Sequence, residues 1–358
     1  MKAVWCIVVC LPAAVGLAQP QYEVVNLTKM FGEDFTALDI NNNGVIAGMM
    51  FIDFQTTQAC IVQNGKLTML PMYQGKHDWY PRAINDNGDV LGIGTIDGVY
   101  HTYLYSNGKV IDTGLTGTMS HAPGSGLNNA GTIVGTFSGG PARAFTWAEG
   151  VTTILSTLST GSSGAVGVND AGVVVGTSQI GGVGSSYHAV KWVNGKIVDV
   201  HPAWASLAGG VAVNEKGDIA GFGDAISGGQ HGILWQGGNT IQLPNFGGGQ
   251  SQAYDINESS QVVGWATDSV GHTLGCLWED GIGYQLEDLI PGGSGFQLLQ
   301  RAFAIDDSSR ILTVGFTGTS NDYLLLNPVP EPKTVIVLAA ALGLLSISRR
   351  RWREKSNS

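Results

Sequence analysis

The sequence predicts an all-β chain in which seven tandem units, each one small antiparallel sheet, bend into a closed ring. Three observations lead there. First, one segment recurs seven times: an apolar residue, Asn (once Asp), two variable residues, Gly or Ser, one variable residue, then Val or Ile. The copies begin at Ile40-Asn41, Ile84-Asn85, Leu127-Asn128, Val168-Asn169, Val213-Asn214, Ile256-Asn257 and Ile305-Asp306, at spacings of 44, 43, 41, 45, 43 and 49 residues. A period of roughly 40–50 residues is the length of one propeller blade. Second, strand alternation rather than helical spacing describes each unit. Third, the last unit lacks a strand, and a solitary strand precedes the first.

That solitary element is Tyr22 to Leu27, apolar and β-prone. The fourth unit serves as a template for those that follow. Ala165 to Asn169 reads as a first strand, Asn169-Asp170-Ala171-Gly172 as a tight turn, and Val173 to Thr177 as a second strand. His188 to Val193 is a third strand, Asn194-Gly195 a two-residue turn, and Lys196 to Val200 a fourth. Asn at a turn start bonds its own backbone and Gly accepts positive φ, so the recurrent Asn reads as a turn former.

Fourth strands are expected at Lys66 to Leu70, Lys109 to Thr113, Val151 to Leu155, Lys196 to Val200, Thr240 to Leu243 and Tyr284 to Leu289. The seventh unit ends after its third strand, Tyr323 to Leu326. If Tyr22 to Leu27 supplies the missing strand, the circle closes and no edge is left to aggregate. The expectation is therefore a seven-bladed β-propeller closed by the N-terminal strand.

Side-chain size agrees. One and three places before each repeated apolar residue stand small residues, such as Gly167 and Ala165 or Ala304 and Ala302, with Asp39 and Asp255 as exceptions. Such a small face suits crowded innermost strands. In the third strands Tyr105, Trp147, Trp192, Trp235 and Trp278 share one register, where large rings would fill the space between sheets.

The two ends differ from the rest in composition. Met1 to Ala18 carries Lys2 ahead of an apolar run from Ala3 to Gly16, and Gly16-Leu17-Ala18 offers small residues for cleavage, so 1–18 reads as a signal peptide. At the other end, Pro330-Glu331-Pro332 precedes an uncharged run from Thr334 to Ser348, followed at once by Arg349, Arg350, Arg351, Arg353 and Lys355. Residues 328–358 thus resemble the PEP-CTERM sorting signal of Gram-negative bacteria. That resemblance implies cleavage near the Pro-Glu-Pro by an exosortase-type membrane protease, and a cell-surface or extracellular-matrix location. Fifteen helical residues span roughly 22 Å against a hydrocarbon core of about 30 Å, a short hydrophobic helix suited to transient or permanent inner-membrane association. The arginines would hold its end on the cytoplasmic side and leave the rest of the chain outside.

Between these ends lies a domain of residues 19–327 with 11 basic and 26 acidic residues, net −15. Such a surface repels phosphate backbones and argues against nucleic-acid binding. Cys60 and Cys276 occupy equivalent sites of non-adjacent units and read as two buried free thiols. Ala144-Phe145 after Arg143, with His188-Ala189 and His231-Gly232 at the same register, resembles the bacterial extracellular HAF repeat over residues 30–327. That resemblance implies a repeat architecture and export, without an established chemistry.

No nucleophile elbow, His-Glu-x-x-His pair, Cys-x-x-Cys pair or phosphate loop is present, so no catalytic residue, cofactor or metal is expected. Asp39 to Gly44 matches the opening of an EF-hand loop, but Met50 stands where the last ligand should be. His101, His188 and His231 recur at one register in different units, which argues for packing or hydrogen bonding rather than a metal. The longer connections, including Pro71 to Tyr80 and His201 to Leu207, fall on one face, where recognition usually sits. Trp79, Tyr80 and Trp204 lie there as ligand-binding candidates able to stack on sugars. The expected function is binding of exopolysaccharide or another surface protein. The alternative is a secreted polysaccharide hydrolase or lyase using Asp39, Asp255 and Asp306 at the ring's centre.

Overall fold

A computed structural model describes residues 19, 21–53, 56–75, 79–117, 124–137, 140–181, 184–292 and 294–330. Residues 1–18, expected to be a signal peptide, and the tail from Glu331 onward, expected to be a sorting signal, lie outside the described residues. Among those described, no helix is long and apolar enough to cross a membrane.

Seven four-stranded antiparallel sheets follow one another along the chain, and six take their strands in simple sequential order. They cover residues 35–69, 79–117, 124–154, 163–199, 205–242 and 247–285 (blades 1 to 6). Blade 7 is assembled from both ends of the chain: Leu298–Ile305, Ile311–Phe316 and Asn321–Pro328, with Tyr22–Asn26 as its outermost strand. Tyr22 pairs with Pro328 and Asn26 with Leu324, and Val329 N–H donates to Gln21 O at 2.7 Å. The ring is a seven-bladed β-propeller closed by its N-terminal strand, and the edge that the last blade would expose is covered.

The fourth strand of blade 2 runs longer than expected, Lys109–Gly117, and at two places a helix takes over residues expected to be strand. Leu27 opens a short helix, Leu27–Phe31, because Asn26 caps it by accepting from Lys29 N–H at 2.8 Å. In blade 6 the fourth strand is Ile282–Gln285, set by the Asp280-Gly281 turn that pairs Glu279 with Ile282. The following residues Leu286–Leu289, expected to be strand, are helical, and Leu286 and Leu289 point into the core at helical spacing.

Every first strand contains a β-bulge at the same place. In blade 1 Ala37 pairs with Gly48 and Asp39 with Ala47, leaving Leu38 unpaired. The same shift interposes Arg82, Ser125, Val166, Val211, Tyr254 and Phe303 in the other blades. The simple alternation expected there is therefore broken, although the demand for small residues is real. A Cβ on Gly167 would come 2.8 Å from Val211 O, on the first strand of the next blade. The extra residue bends each inner strand and raises its twist.

Between blades, the predicted large rings do fill the space. Trp147, Trp192, Trp235 and Trp278 are buried, and Tyr105 is half-buried. Trp192 Nε1 donates to Ser156 O (2.8 Å), Trp235 Nε1 to Val200 O (2.7 Å) and Trp278 Nε1 to Pro244 O (2.9 Å). Each indole thus joins its own sheet to the end of the preceding one while burying its apolar body. Cys60 and Cys276 are buried free thiols.

Candidate functional site

The seven first strands surround a central channel whose two mouths differ in chemistry. Strand direction places the tight Asn-turns, with Gln21 and Val329, on one face, and the longer connections on the other.

At the tight-turn mouth, a cavity of about 340 Å³ is lined by residues from all seven blades. Its frame is built from the recurrent Asn. Asn41 Oδ1 accepts from the backbone N–H groups of Asn43 (3.1 Å) and Val45 (2.9 Å), which is the predicted turn. Its Nδ2 is used as well, donating to Asn85 O in the next blade at 2.8 Å. Asn85, Asn128, Asn169, Asn214 and Asn257 repeat that inter-blade bond, the last to Asp306 O. Asp306 cannot donate, and Arg310 takes over, bonding Asp306 Oδ2 and reaching Asn42 O. Turn former and inter-blade staple are thus one residue.

A second ring lies one residue along. Asn42 N–H donates to Asp86 Oδ1 (2.8 Å), Asp86 N–H to Asn129 Oδ1 (2.7 Å), and Asn129 N–H to Asp170 Oδ1 (2.7 Å). Asp170 N–H donates to Glu215, Glu215 N–H to Glu258, Glu258 N–H to Asp307, and Asp307 N–H to Asn42 Oδ1 (2.9 Å). The circle returns to its start through all seven blades. The mouth therefore carries five carboxylates and two amides, each bound by a neighbour's backbone. This ring is absent from the sequence-based expectations, though its signal is plain: the residue after each repeated Asn or Asp is always Asn, Asp or Glu.

Deeper in the channel stand Asp39 and Asp255, from blades 1 and 6, on either side of blade 7. Asp39 accepts from Ile40 N–H (2.9 Å) and Ile84 N–H (2.8 Å), and Asp255 from Ile256 N–H (2.8 Å) and Ile305 N–H (2.9 Å). Burial pushes both carboxyls up to about 7, against the pull of these donors, and the charge of Asp255 adds to the rise at Asp39. Asp306 is 2% exposed, and its burial raises it despite Arg310 beside it. In the EF-hand-like stretch each Asp39 oxygen accepts a backbone N–H, one from its own strand and one from the next blade. Among the described residues no group of three or more His, Cys, Asp or Glu is arranged to hold a metal.

The long-loop mouth is different. Between blades 6, 7 and 1 a cavity of about 330 Å³ is lined by Ala37, Leu38, Tyr254, Arg301, Phe303 and Tyr323. Three of these, Leu38, Tyr254 and Phe303, are residues interposed by the bulges, so the irregularity that bends the strands also supplies the lining. Trp265 Nε1 donates to Tyr254 Oη (3.1 Å), and Phe303 meets Tyr323 edge-on at 6.2 Å between centroids.

The predicted ligand-binding aromatics fare unequally. Trp79 is 0% exposed, with Nε1 bonded to Pro71 O (3.1 Å), so it is a core ring with no face for a ligand. Tyr80 is half-buried in the first strand of blade 2, opposite Ile93. Trp204 is half-buried over the core between blades 4 and 5, edge-on to His231 at 6.0 Å. His188 stacks on His201 at 3.7 Å and bonds Asp199 Oδ2 (2.8 Å), and His101 makes the same bond to Asp112 (2.7 Å). His101 and His188 are therefore hydrogen-bonding residues of the hairpin between third and fourth strands, whereas His231 Nδ1 is buried without a partner. Burial lowers the pKa of His201, and the neighbouring His188 adds to that. Of the sorting motif, Pro330 is described and exposed, while Glu331 and Pro332 lie outside the described residues.

No protein-family model and no curated protein sequence matches the chain. Among solved structures, the β-propeller domain of the Trilobed protease from Pyrococcus furiosus, reported to have an open velcro topology, aligns with TM-score 0.56 at 12% identity, over 84% of this chain and 95% of that one. Virginiamycin B lyase from Staphylococcus aureus, in a catalytically inactive form with quinupristin, aligns with TM-score 0.51 at 13% identity, over 87% and 100%. TolB from Acinetobacter baumannii aligns with TM-score 0.48 at 11% identity, over 81% of this chain, which spans 65% of TolB. At such identities the likeness shows the fold alone.

Proposed function

We propose that this chain is an exported, surface-displayed propeller that binds glycan or protein partners of an extracellular matrix, after sorting through its tail by an exosortase-type protease. The observation that carries this reading is where the chain ends leave the ring. Gln21 and Val329 are bonded to each other at the tight-turn mouth, so a tail anchored in or cleaved at the membrane would turn that mouth inward. The long-loop face, on the opposite side, is then presented outward on a ring closed by hydrogen bonds through every blade. A rigid scaffold with irregular loops on its free face is the usual design of a recognition protein.

The test is a glycan and matrix-protein array probed with the purified protein, with reducing-sugar release measured on every hit. Binding without product supports the reading; absence of any binding removes it. Mass spectrometry of the mature protein tests sorting separately, since a mature chain that retains Trp352 contradicts cleavage near Pro330.

A second reading, a polysaccharide hydrolase or lyase, is favoured by one observation: Asp39 and Asp255 are two carboxyls near 7 in the same channel, a protonation range suited to general acid–base work. Against it, all four of their oxygens already accept backbone N–H groups. Product formation that disappears in Asp39→Ala and Asp255→Ala, with binding retained, would establish the enzyme.

A further inference from the structure

We infer that the cavity between blades 6, 7 and 1 at the long-loop mouth is a subsite for a carboxylate-bearing sugar residue, with Arg301 holding the carboxylate and Tyr254 and Phe303 facing the ring. This rests on the glycan-binding reading above and names the class of glycan.

The cavity, about 330 Å³, is at the small end of the roughly 300–1,000 Å³ typical of ligand sites, which suits a single saccharide residue with its neighbours outside. Its walls are aromatic, and Tyr254 and Phe303 are each held by a second ring, Trp265 and Tyr323. Sugars present a flat C–H face to such rings, and walls fixed in advance lose little freedom on binding.

The charge at the rim supplies the specificity. Among the described residues, the exposed Arg301 guanidinium makes no hydrogen bond or ion pair. Of the four arginines in residues 19–327, Arg310 bonds Asp306 and Arg143 bonds backbone oxygens, whereas Arg301 keeps its guanidinium free at the cavity. Arg82, at the bulge position that follows Leu38 around the ring, is likewise exposed and unpaired. A guanidinium fork matches a carboxylate with two parallel charge-assisted bonds, stronger than those it makes to the uncharged hydroxyls of a neutral sugar. The acidic ring does not cancel this. It lies beyond the ends of the first strands, in the turns of the opposite mouth, while the nearer Asp39 and Asp255 are buried carboxyls bound by backbone N–H groups.

The experiment is calorimetric titration of the purified protein with trigalacturonic acid and, in parallel, with neutral galactotriose. The acidic trisaccharide is expected to bind at least tenfold more tightly, and Arg301→Gln to lose that difference with the melting temperature unchanged. Arg301→Lys should restore only part of it, because the fork is lost. Tyr254→Ala should weaken both sugars. Wild-type affinity for trigalacturonic acid in Arg301→Gln overturns the subsite. Equal binding of neutral and acidic sugars overturns it too but leaves glycan binding standing, whereas no binding of either removes the subsite together with the glycan arm of the proposed function.

Discussion

The side-chain amide of Asn257 donates to the main-chain oxygen of Asp306 at 3.1 Å, and there the relay of amide-to-carbonyl bonds that begins at Asn41 stops. A carboxylate has no proton to pass to blade 1. Arg310 bridges the gap by bonding Asp306 and the Asn42 carbonyl. This is also the place where the ring closes, so the one irregular staple sits at the seam between the last blade and the first.

That seam predicts a coupling. Arg310→Met leaves the Asp306 carboxylate, 2% exposed, without its cation, and should cost about 2–4 kcal/mol. Asp306→Asn restores an amide able to donate toward blade 1 and no longer needs the guanidinium. In that background Arg310→Met should cost under about 1 kcal/mol. A double-mutant cycle by urea denaturation measures the difference, and additive effects would contradict the bridge.

The staples predict that Asn and Asp are not equivalent at the repeated position. In Asn169→Asp the Oδ1 acceptor for Val173 N–H is kept, but the donor to Asn214 O is lost and a carboxylate is set against that carbonyl. The variant should lose roughly 2–3 kcal/mol, at least as much as Asn169→Ala. A pure turn former would tolerate Asp, so an unchanged melting temperature for Asn169→Asp would exclude the staple.

Much of this architecture is legible in the sequence because blades are local. The period and the count of seven follow from residues near one another in the chain, and the borrowed strand, whose partners lie about 300 residues away, is legible because the last unit is one strand short and a spare strand precedes the first. The Asn reads correctly as a turn former, whereas its second bond goes to a carbonyl 41 to 49 residues away, which becomes a neighbour only once the ring has closed. The residues of the acidic ring are plain in the sequence, but their bonds to the next blade's backbone are hidden for the same reason. The bulges are hidden because an extra residue such as Leu38 looks like ordinary alternation until its partner strand is in view. Trp79 shows the opposite failure: an aromatic next to a long connection resembles a ligand platform, but Gly92, diagonal to it on the next strand, leaves room for the indole to bury itself.

Asp39 and Asp255 predict the pH dependence of stability. Their folded values of about 7 lie above the ordinary 3.8, so between those limits the folded protein binds more protons than the unfolded chain. Their contribution is fully favourable below about pH 4 and is lost as pH rises through 7, by up to about 4 kcal/mol for each carboxyl. His201 acts in the opposite sense, because its lowered value removes stability as pH falls through its unfolded value. The wild type alone therefore mixes both trends, and the comparison with Asp39→Ala/Asp255→Ala isolates the carboxyls. Alanine is a natural residue here, as Ala83, Ala212 and Ala304 occupy the position in other blades. The melting-temperature difference, wild type minus double variant, should be positive at pH 5 and shrink or reverse by pH 8. A difference independent of pH would mean that both carboxyls titrate normally.

The N-terminal strand predicts how the ring fails. Tyr22 is 1% exposed and packs with Leu299, Leu324 and Leu326 in the core between blades 6 and 7, while Tyr22–Asn26 covers the backbone of Asn321–Pro328. Tyr22→Ala removes a large buried ring and should cost about 3–5 kcal/mol with the strand still in place. Deleting residues 19–26 removes the ring, the pairing and the Asn26 bond to Asp322 together. The exposed edge can then pair with another molecule, so the truncated protein should run as dimers and larger species on size-exclusion chromatography at concentrations where Tyr22→Ala is still monomeric. Adding a synthetic peptide of residues 19–26 should return the monomer by refilling the vacant edge. A truncated protein that stays monomeric with an unchanged melting temperature would show that the ring holds without its borrowed strand.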